Sequence, residues 1–383
     1  MKICLWLGTL SDIGGLQRLC ILLANELSKE HDVYIASYDT PERLSKAVYQ
    51  LDKEVKFVQL PKNALSSNIV YRMIRRILFM LIKNDRYLEK IDFPMFMRQK
   101  YVHFVNENGF DAIVGVHWYH SLWLAMIAPK IKSKTIGWQL SSFDAYFHTP
   151  GKYAWRKKVL FEKYISNLDY YVVLNRKTKE KVDASFDIDS TIIYNPRSYV
   201  SNEKSDMNNK VFLAAGRMIY VKAFDNLVDA FHIFSQKNSD WKLLLVGDGE
   251  DFNLIKNKIC KYGLEQRILM PGKTDNIKKY FLQSSVLLLP SRWEGMPMIG
   301  LEALEMGCPI IAYDIDAMEP IVANGVNGLI VKKNQDINGY AKAMIQISEN
   351  QELREKMHLA AIEKASQFSI KNIINEWNKI LMQ

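Results

Sequence analysis

The chain has 383 residues, 48% hydrophobic and 24% charged, with a formal net charge of +9. That length suffices for two domains, each burying its own core, and the composition excludes a disordered or fibrous chain. The positive balance suits an acidic partner: the phosphates of a nucleotide, a nucleic acid, or an anionic membrane face.

The amino-terminal "MKICLWLG" reads as a first strand over 3–7. "TLSDIGG" follows too soon for a signal segment. An amphipathic helix is expected over 16–29, then strands over 33–37 and 55–60. "NIVYRMIRRILFMLIK" (68–83) gathers Val70, Met73, Ile74, Ile77 and Leu81 on one side, with Arg72, Arg76 and Lys83 elsewhere. Residues 62–100 carry nine Lys/Arg against three Asp/Glu. A basic amphipathic helix of this kind can lie on an anionic bilayer, although its apolar run is far too short to span one.

Strands over 112–116, 135–137 and 170–174 complete the first half. Aromatic residues crowd 117–155: Trp118, Tyr119, Trp123, Trp138, Phe143, Tyr146, Phe147, Tyr153 and Trp155. They serve either as core or as a sugar-stacking acceptor surface. The polar stretch "YNPRSYVSNEKSDMNNK" (194–210) reads as an interdomain linker. Beyond it, strands are expected over 211–214, 242–246, 268–270, 286–289, 310–312 and 329–331. Helices are expected over 226–236 and 352–366, and "FSIKNIINEWNKILMQ" is a last amphipathic helix. Strand–helix alternation of this length predicts two doubly wound parallel sheets. Cys4, Cys20, Cys260 and Cys308 are scattered, which fits a reducing, cytoplasmic setting.

The chemistry gathers in "SRWEGMPMIGLEALEMGCPI" (291–310). Glu294 precedes a turn, and Pro297 suits the first position of a helix that Gly307 stops. The helix amino end offers the amides of Gly295, Met296, Met298 and Ile299 to a phosphate. Glu302 lies two turns along, where a carboxylate can accept bonds from sugar or ribose hydroxyls. Glu305, three residues further, is expected to be solvated. Arg217 and Lys222 follow a strand, where a fork and a point charge can clasp a diphosphate. Gly14-Gly15 before a helix allows close approach of a phosphate.

Together "AAGRMIYVKAFDNLVDAF", "WKLLLVGDGED", "PGKTDNIKKYFLQSSVLLLPSRWEGMPMIGLEALEMGCPIIAYD" and "IVANGVNGLIV" resemble the nucleotide-binding domain of retaining glycosyltransferase family 4. The resemblance is strong over 211–331 and weaker at "SDIGGLQR" and the last helix. It implies the GT-B fold: two Rossmann-like doubly wound domains facing across a cleft. These are an acceptor domain over 1–195, a nucleotide-sugar domain over 196–366, and a helix over 367–383 crossing back to the first domain. Glu294 and Glu302 match the ends of the family's Glu-x(7)-Glu motif, near the donor sugar and on the ribose hydroxyls respectively. Arg217 and Lys222 match the pair that stabilises the departing diphosphate, and Lys273, Thr274 and Ile277 are base-side candidates. Pro297 and Ala223 stand where many members have glycine.

The Met-Pro variant looks like the branch that builds bacterial surface glycans from UDP-sugars. The implied activity is retaining transfer of a hexose or N-acetylhexosamine from a UDP-sugar to a lipid-linked or lipopolysaccharide/polysaccharide acceptor. No cofactor, metal or nucleic acid is expected; the setting is cytoplasmic, peripheral to an anionic inner membrane. A nucleotide-sugar epimerase or a catalytically silent binding subunit are the alternatives. The Asp-x-Asp pairs at 187–189 and 314–316 fall outside the matched motifs. The first-domain histidine that the family implies near "GWQLSSFD" is replaced by Gln139 and Leu140, leaving His117, His120 and His148 as stand-ins.

Overall fold

The computed structural model describes residues 1–11, 14–44, 50–62, 69–81, 87–332 and 334–383. The side chains of 71, 72, 75, 76, 79, 80 and 88 are outside the description. The chain divides into two compact units, Met1–Tyr194 with Ile373–Gln383, and Asn195–Asn372.

The first unit is built on seven strands: β1 (Lys2–Trp6), β2 (Asp32–Ser37), β3 (Lys56–Gln59), β4 (Ala112–Val116), β5 (Lys134–Trp138), β6 (Tyr170–Val173) and β7 (Thr191–Ile192). Their order is β3-β2-β1-β4-β5-β6-β7, all parallel. β4 is buried at every position, as its unbroken apolar run requires of a strand covered on both faces. The aromatic stretch is largely core. Trp123, Trp138, Phe143, Tyr146 and Phe147 are buried, and only Trp118, Tyr119, Tyr153 and Trp155 stay partly open.

The last helix, Ile370–Met382, buries Trp377 against Trp138 with ring centroids 5.0 Å apart. Lys134 Nζ donates to the Leu381 carbonyl at 2.9 Å, and Asn378 Nδ2 donates to Glu30 at 3.1 Å. These contacts place residues 373–383 in the first unit although they follow the second in sequence.

The second unit holds β8 (Val211–Ala215), β9 (Lys242–Val246), β10 (Ile268–Gly272), β11 (Val286–Leu289), β12 (Ile310–Tyr313) and β13 (Gly328–Val331). The order is β10-β9-β8-β11-β12-β13, again parallel. In each sheet the order reverses once, between β1 and β4 and between β8 and β11. Ligands of doubly wound sheets bind beyond the carboxyl ends of the strands at such a reversal.

The stretch expected to be a linker is fastened to this unit. Asn195 Nδ2 donates to the Met296 carbonyl at 3.0 Å, Arg197 N to Phe368 O at 2.8 Å, and Ser205 N to Met306 O at 2.8 Å. Its polar composition reflects hydrogen bonding to the domain rather than free chain.

Candidate active site

The reversal in the second sheet brings two loops together. The loop after β8 carries Arg217, then a single 3-10 turn at Tyr220–Lys222. The loop after β11 carries Ser291 and Glu294 and leads into the helix Met298–Met306. Lys222 Nζ sits 2.5 Å from Glu294 Oε1, which also accepts from Ser291 Oγ at 2.7 Å. The two side chains are 19% and 12% exposed, so the pair is shielded yet reachable. Among the described residues neither bond involves Oε2. Arg217 is exposed and has no ion pair among the described residues.

Pro297 is the cap rather than the first helical residue: its ψ of 121° is extended, and the helix starts at Met298. The first intrahelical bond is from Gly300 N to Pro297 O at 3.0 Å, so the amides of Met298 and Ile299 precede the hydrogen-bonded ladder. Gly307 ends the helix at φ 73°, where a left-handed residue is needed.

Glu302 is 2% exposed, which excludes a merely solvated role for it. Glu305 is also 2% exposed, and this corrects the expectation that it faces solvent. Its carboxylate accepts from Ser201 N at 2.8 Å and Lys204 Nζ at 2.7 Å, and Arg197 pairs with its other oxygen. The partners lie about a hundred positions upstream, inside the stretch read as linker.

Ala223 adopts φ 52° and ψ 36° with its methyl fully buried. A left-handed non-glycine residue costs roughly 1–2 kcal/mol, so glycine would fit this turn better. Gly247 is a real requirement, because a Cβ there would overlap the Gly216 carbonyl oxygen. The β9 loop thereby closes on the β8 loop: Met218 N donates to Asp248 O at 2.8 Å, steadying the segment beside Arg217. Gly247 N donates to Gly272 O at 2.9 Å, which brings the segment holding Lys273, Thr274 and Ile277 alongside. Thr274 Oγ1 accepts from Asn276 N at 3.0 Å and shapes that loop.

Residues 198–364 match the family described as Glycosyl transferases group 1. An uncharacterized glycosyltransferase of Haemophilus influenzae is 26% identical over 99% of both chains. The chain has the GT-B fold, and its match to the group 1 glycosyl transferases spans residues 198–364. An Escherichia coli UDP-Gal:alpha-D-GlcNAc-diphosphoundecaprenol alpha-1,3-galactosyltransferase is 32% identical over 38% of each chain. The crystal structure of S. aureus TarM with UDP shares the fold at TM-score 0.75 and 14% identity, covering 100% of both chains.

In the first unit, helix Gly15–Leu27 begins directly after Gly14, whose backbone is extended. Asp12 and Ile13 lie outside the described residues. The loop before them is held by Asp39, 1% exposed, which accepts from Leu10 N at 2.6 Å, Ser11 Oγ at 2.7 Å and Thr9 Oγ1 at 2.9 Å. Burial alone would raise the Asp39 carboxyl; these donors outweigh it and hold it below the ordinary carboxylate range.

Among the three histidines, His117 stands at the reversal of the first sheet. It follows β4 directly at φ 68° and packs edge-on to Tyr146 at 5.1 Å. His120 is buried, with Nδ1 3.1 Å from Val116 O, and His148 is exposed and pairs with Asp144 at 3.0 Å. Gln139 is fully buried and bonds Ser141 and Tyr171, a structural role. Among the described residues no three His, Cys, Asp or Glu side chains gather as a metal-ligand set.

Burial pushes His120 down to about 4 against the Val116 bond, and burial with the neighbouring His120 pushes His117 down to about 3. A histidine that is harder to protonate when folded stabilises the fold above its unfolded value of 6.5, and this is lost as pH falls toward 4. For His120 the loss reaches about 3 kcal/mol by pH 4. In urea titrations, His120→Asn should narrow the stability gap between pH 7 and pH 4 by up to about that amount; an unchanged gap would show that His120 is not the group that titrates.

Proposed function

We propose that this protein is a glycosyltransferase that moves a hexose or N-acetylhexosamine from a UDP-sugar to a lipid-linked or lipopolysaccharide/polysaccharide glycan, with retention of configuration. The observation that carries this reading is the pairing of Lys222 with Glu294, at 2.5 Å, with Arg217 on the same loop as Lys222, at the sheet reversal before a helix amino end. Arg217 and Lys222 neutralise the departing diphosphate, with the amides of Gly295, Met296, Met298 and Ile299 as donors. Glu294 Oε2 takes a donor-sugar hydroxyl, Glu302 the ribose, and Lys273, Thr274 and Ile277 border the base. Gly14 and Gly15, in the first unit, offer close backbone approach to a phosphate.

The acceptor hydroxyl attacks the sugar's anomeric carbon on the face that the diphosphate leaves. The C–O bond to the phosphate breaks, and a diphosphate oxygen takes the acceptor's proton. Two cations then supply the charge that a metal would otherwise bring, and no protein nucleophile is used. Of the three candidate histidines we assign the family's first-domain role to His117, which follows β4 at the reversal of the first sheet. Two names of similar proteins support the donor and acceptor classes: the E. coli relative's includes UDP-Gal and a diphosphoundecaprenol acceptor, and TarM was crystallised with UDP.

The test is UDP release from a panel of UDP-sugars with a lipid-linked acceptor. Acceptor-dependent UDP release with a product of retained anomeric configuration supports the reading. Interconversion of the sugar nucleotide without net UDP, or binding without turnover, contradicts it.

We further propose contact with the anionic face of the inner membrane from the cytoplasm. Helix Ile69–Leu81 exposes Ile69, Val70, Met73, Ile74, Ile77, Leu78 and Leu81, all apolar and on one side. Asn68, Ile82 and Lys83 lie outside the described residues, as do the side chains of Arg72 and Arg76. No helix among the described residues is long and apolar enough to cross a membrane. In flotation assays, Ile74→Glu with Ile77→Glu should lower recovery with phosphatidylglycerol vesicles at least about tenfold; undiminished recovery would remove the helix from the contact.

A further inference from the structure

We infer that Arg292 is the positioning residue that sets Lys222 against Glu294. This rests on the reading that Lys222 and Glu294 hold the donor, and it assigns their alignment to a side chain that touches neither.

Arg292 joins the two loops through both its backbone and its side chain. Its amide donates to Val221 O at 2.8 Å. Its guanidinium lies 3.9 Å over the Tyr220 ring, and Nη1 donates to the Tyr220 carbonyl. The same fork grips Asp225, with Nη1 3.3 Å from Oδ1 and Nη2 3.1 Å from Oδ2, in the first turn of helix Phe224–Ser235. From the other side, Asn334 Nδ2 donates to Arg292 O at 3.1 Å.

Tyr220 and Val221 immediately precede Lys222, and Asp225 follows it by three residues. Arg292 is itself two residues before Glu294. One planar cation therefore brackets Lys222 in the chain and fixes the register of its loop on the loop of Glu294. A lysine cannot reproduce both the stack and the fork, so Arg292→Lys is not conservative here.

The cluster lies beyond the strand ends. Tyr220 is 63% exposed and the Asp225 side chain 26%, while the Arg292 side chain is 12% exposed. Ion pairs with one partner this open to water add modestly to global stability. Their use is geometric: the Lys222–Glu294 pair spans 72 residues of sequence, and Arg292 ties together the loops that carry it.

The test is a double-mutant cycle on kcat for transfer, with UDP affinity by titration calorimetry alongside. Arg292→Ala and Arg292→Lys should each lower kcat by about 10–100-fold with a smaller change in donor KM, and move the thermal midpoint by less than about 3 °C. Lys222→Ala should weaken UDP binding and lower kcat, and adding Arg292→Ala to it should lower kcat by no more than about twofold further.

Losses that simply add would overturn the inference, because Arg292 would then act on the ligand or the fold independently. Unchanged kcat in both Arg292 variants would overturn it too, as would a collapse of the thermal midpoint in both. If Lys222→Ala itself left UDP binding and transfer intact, the donor-site reading would fall and this inference with it. If that variant is disabled while Arg292→Ala is silent or additive, only this inference falls.

Discussion

Lys222→Ala is expected to lower transfer by about 10²–10³-fold, the range measured when one preorganised donor to a developing anion is removed. On the proposed reading negative charge grows on the diphosphate as the glycosidic bond stretches, and Lys222, held by Glu294 at 2.5 Å, is the ammonium that meets it. Its substitution removes a fixed charge from a shielded site, where solvent compensates poorly. The fold should survive, because the side chain is 19% exposed and is bonded to another loop residue rather than to the core. Rates with a UDP-sugar and acceptor, taken with the thermal midpoint, check both halves. Activity near the parent level would remove Lys222 from the site.

Glu305→Ala is expected to do the opposite, destabilising the second domain by about 3 kcal/mol without touching the chemistry directly. The carboxylate is 2% exposed and collects Ser201 N, Lys204 and Arg197. Truncation strands two cations and a backbone amide. Arg197 and Lys204 are 19% and 25% exposed, so water relieves them in part, and the low end of the 3–5 kcal/mol range applies. Glu305→Gln, which keeps an acceptor for Ser201 N, should cost less. Urea titration checks the order; a change below 0.5 kcal/mol in the alanine variant, the ordinary size for a surface site, would mean that the segment is held without this ion cluster.

The contrast between these glutamates shows what was legible in the sequence. The strands were, because buried parallel strands are short unbroken apolar runs: 112–116, 242–246 and 286–289 were read at their observed bounds. β7 was not, since Thr191–Ile192 is two residues long and half-buried. Lys222 and Glu294 were legible through local motifs at strand ends, although nothing in the sequence says that they touch. The role of Glu305 is not legible, because its partners are long-range and lie in a stretch whose Asn, Ser and Pro content imitates a free linker. The apolar residues around it in "GLEALEMG" were the available sign that this helix is buried on every side. Arg292 carries no local signal for the same reason, as Tyr220 and Asp225 are about seventy positions away.

The most direct measurement is the crystal structure of the protein soaked with UDP. The pyrophosphate is expected on the amides that follow Glu294, within hydrogen-bonding distance of Arg217 or Lys222, with the ribose on Glu302. UDP bound elsewhere, or that pocket empty at saturating nucleotide, would contradict the assignment.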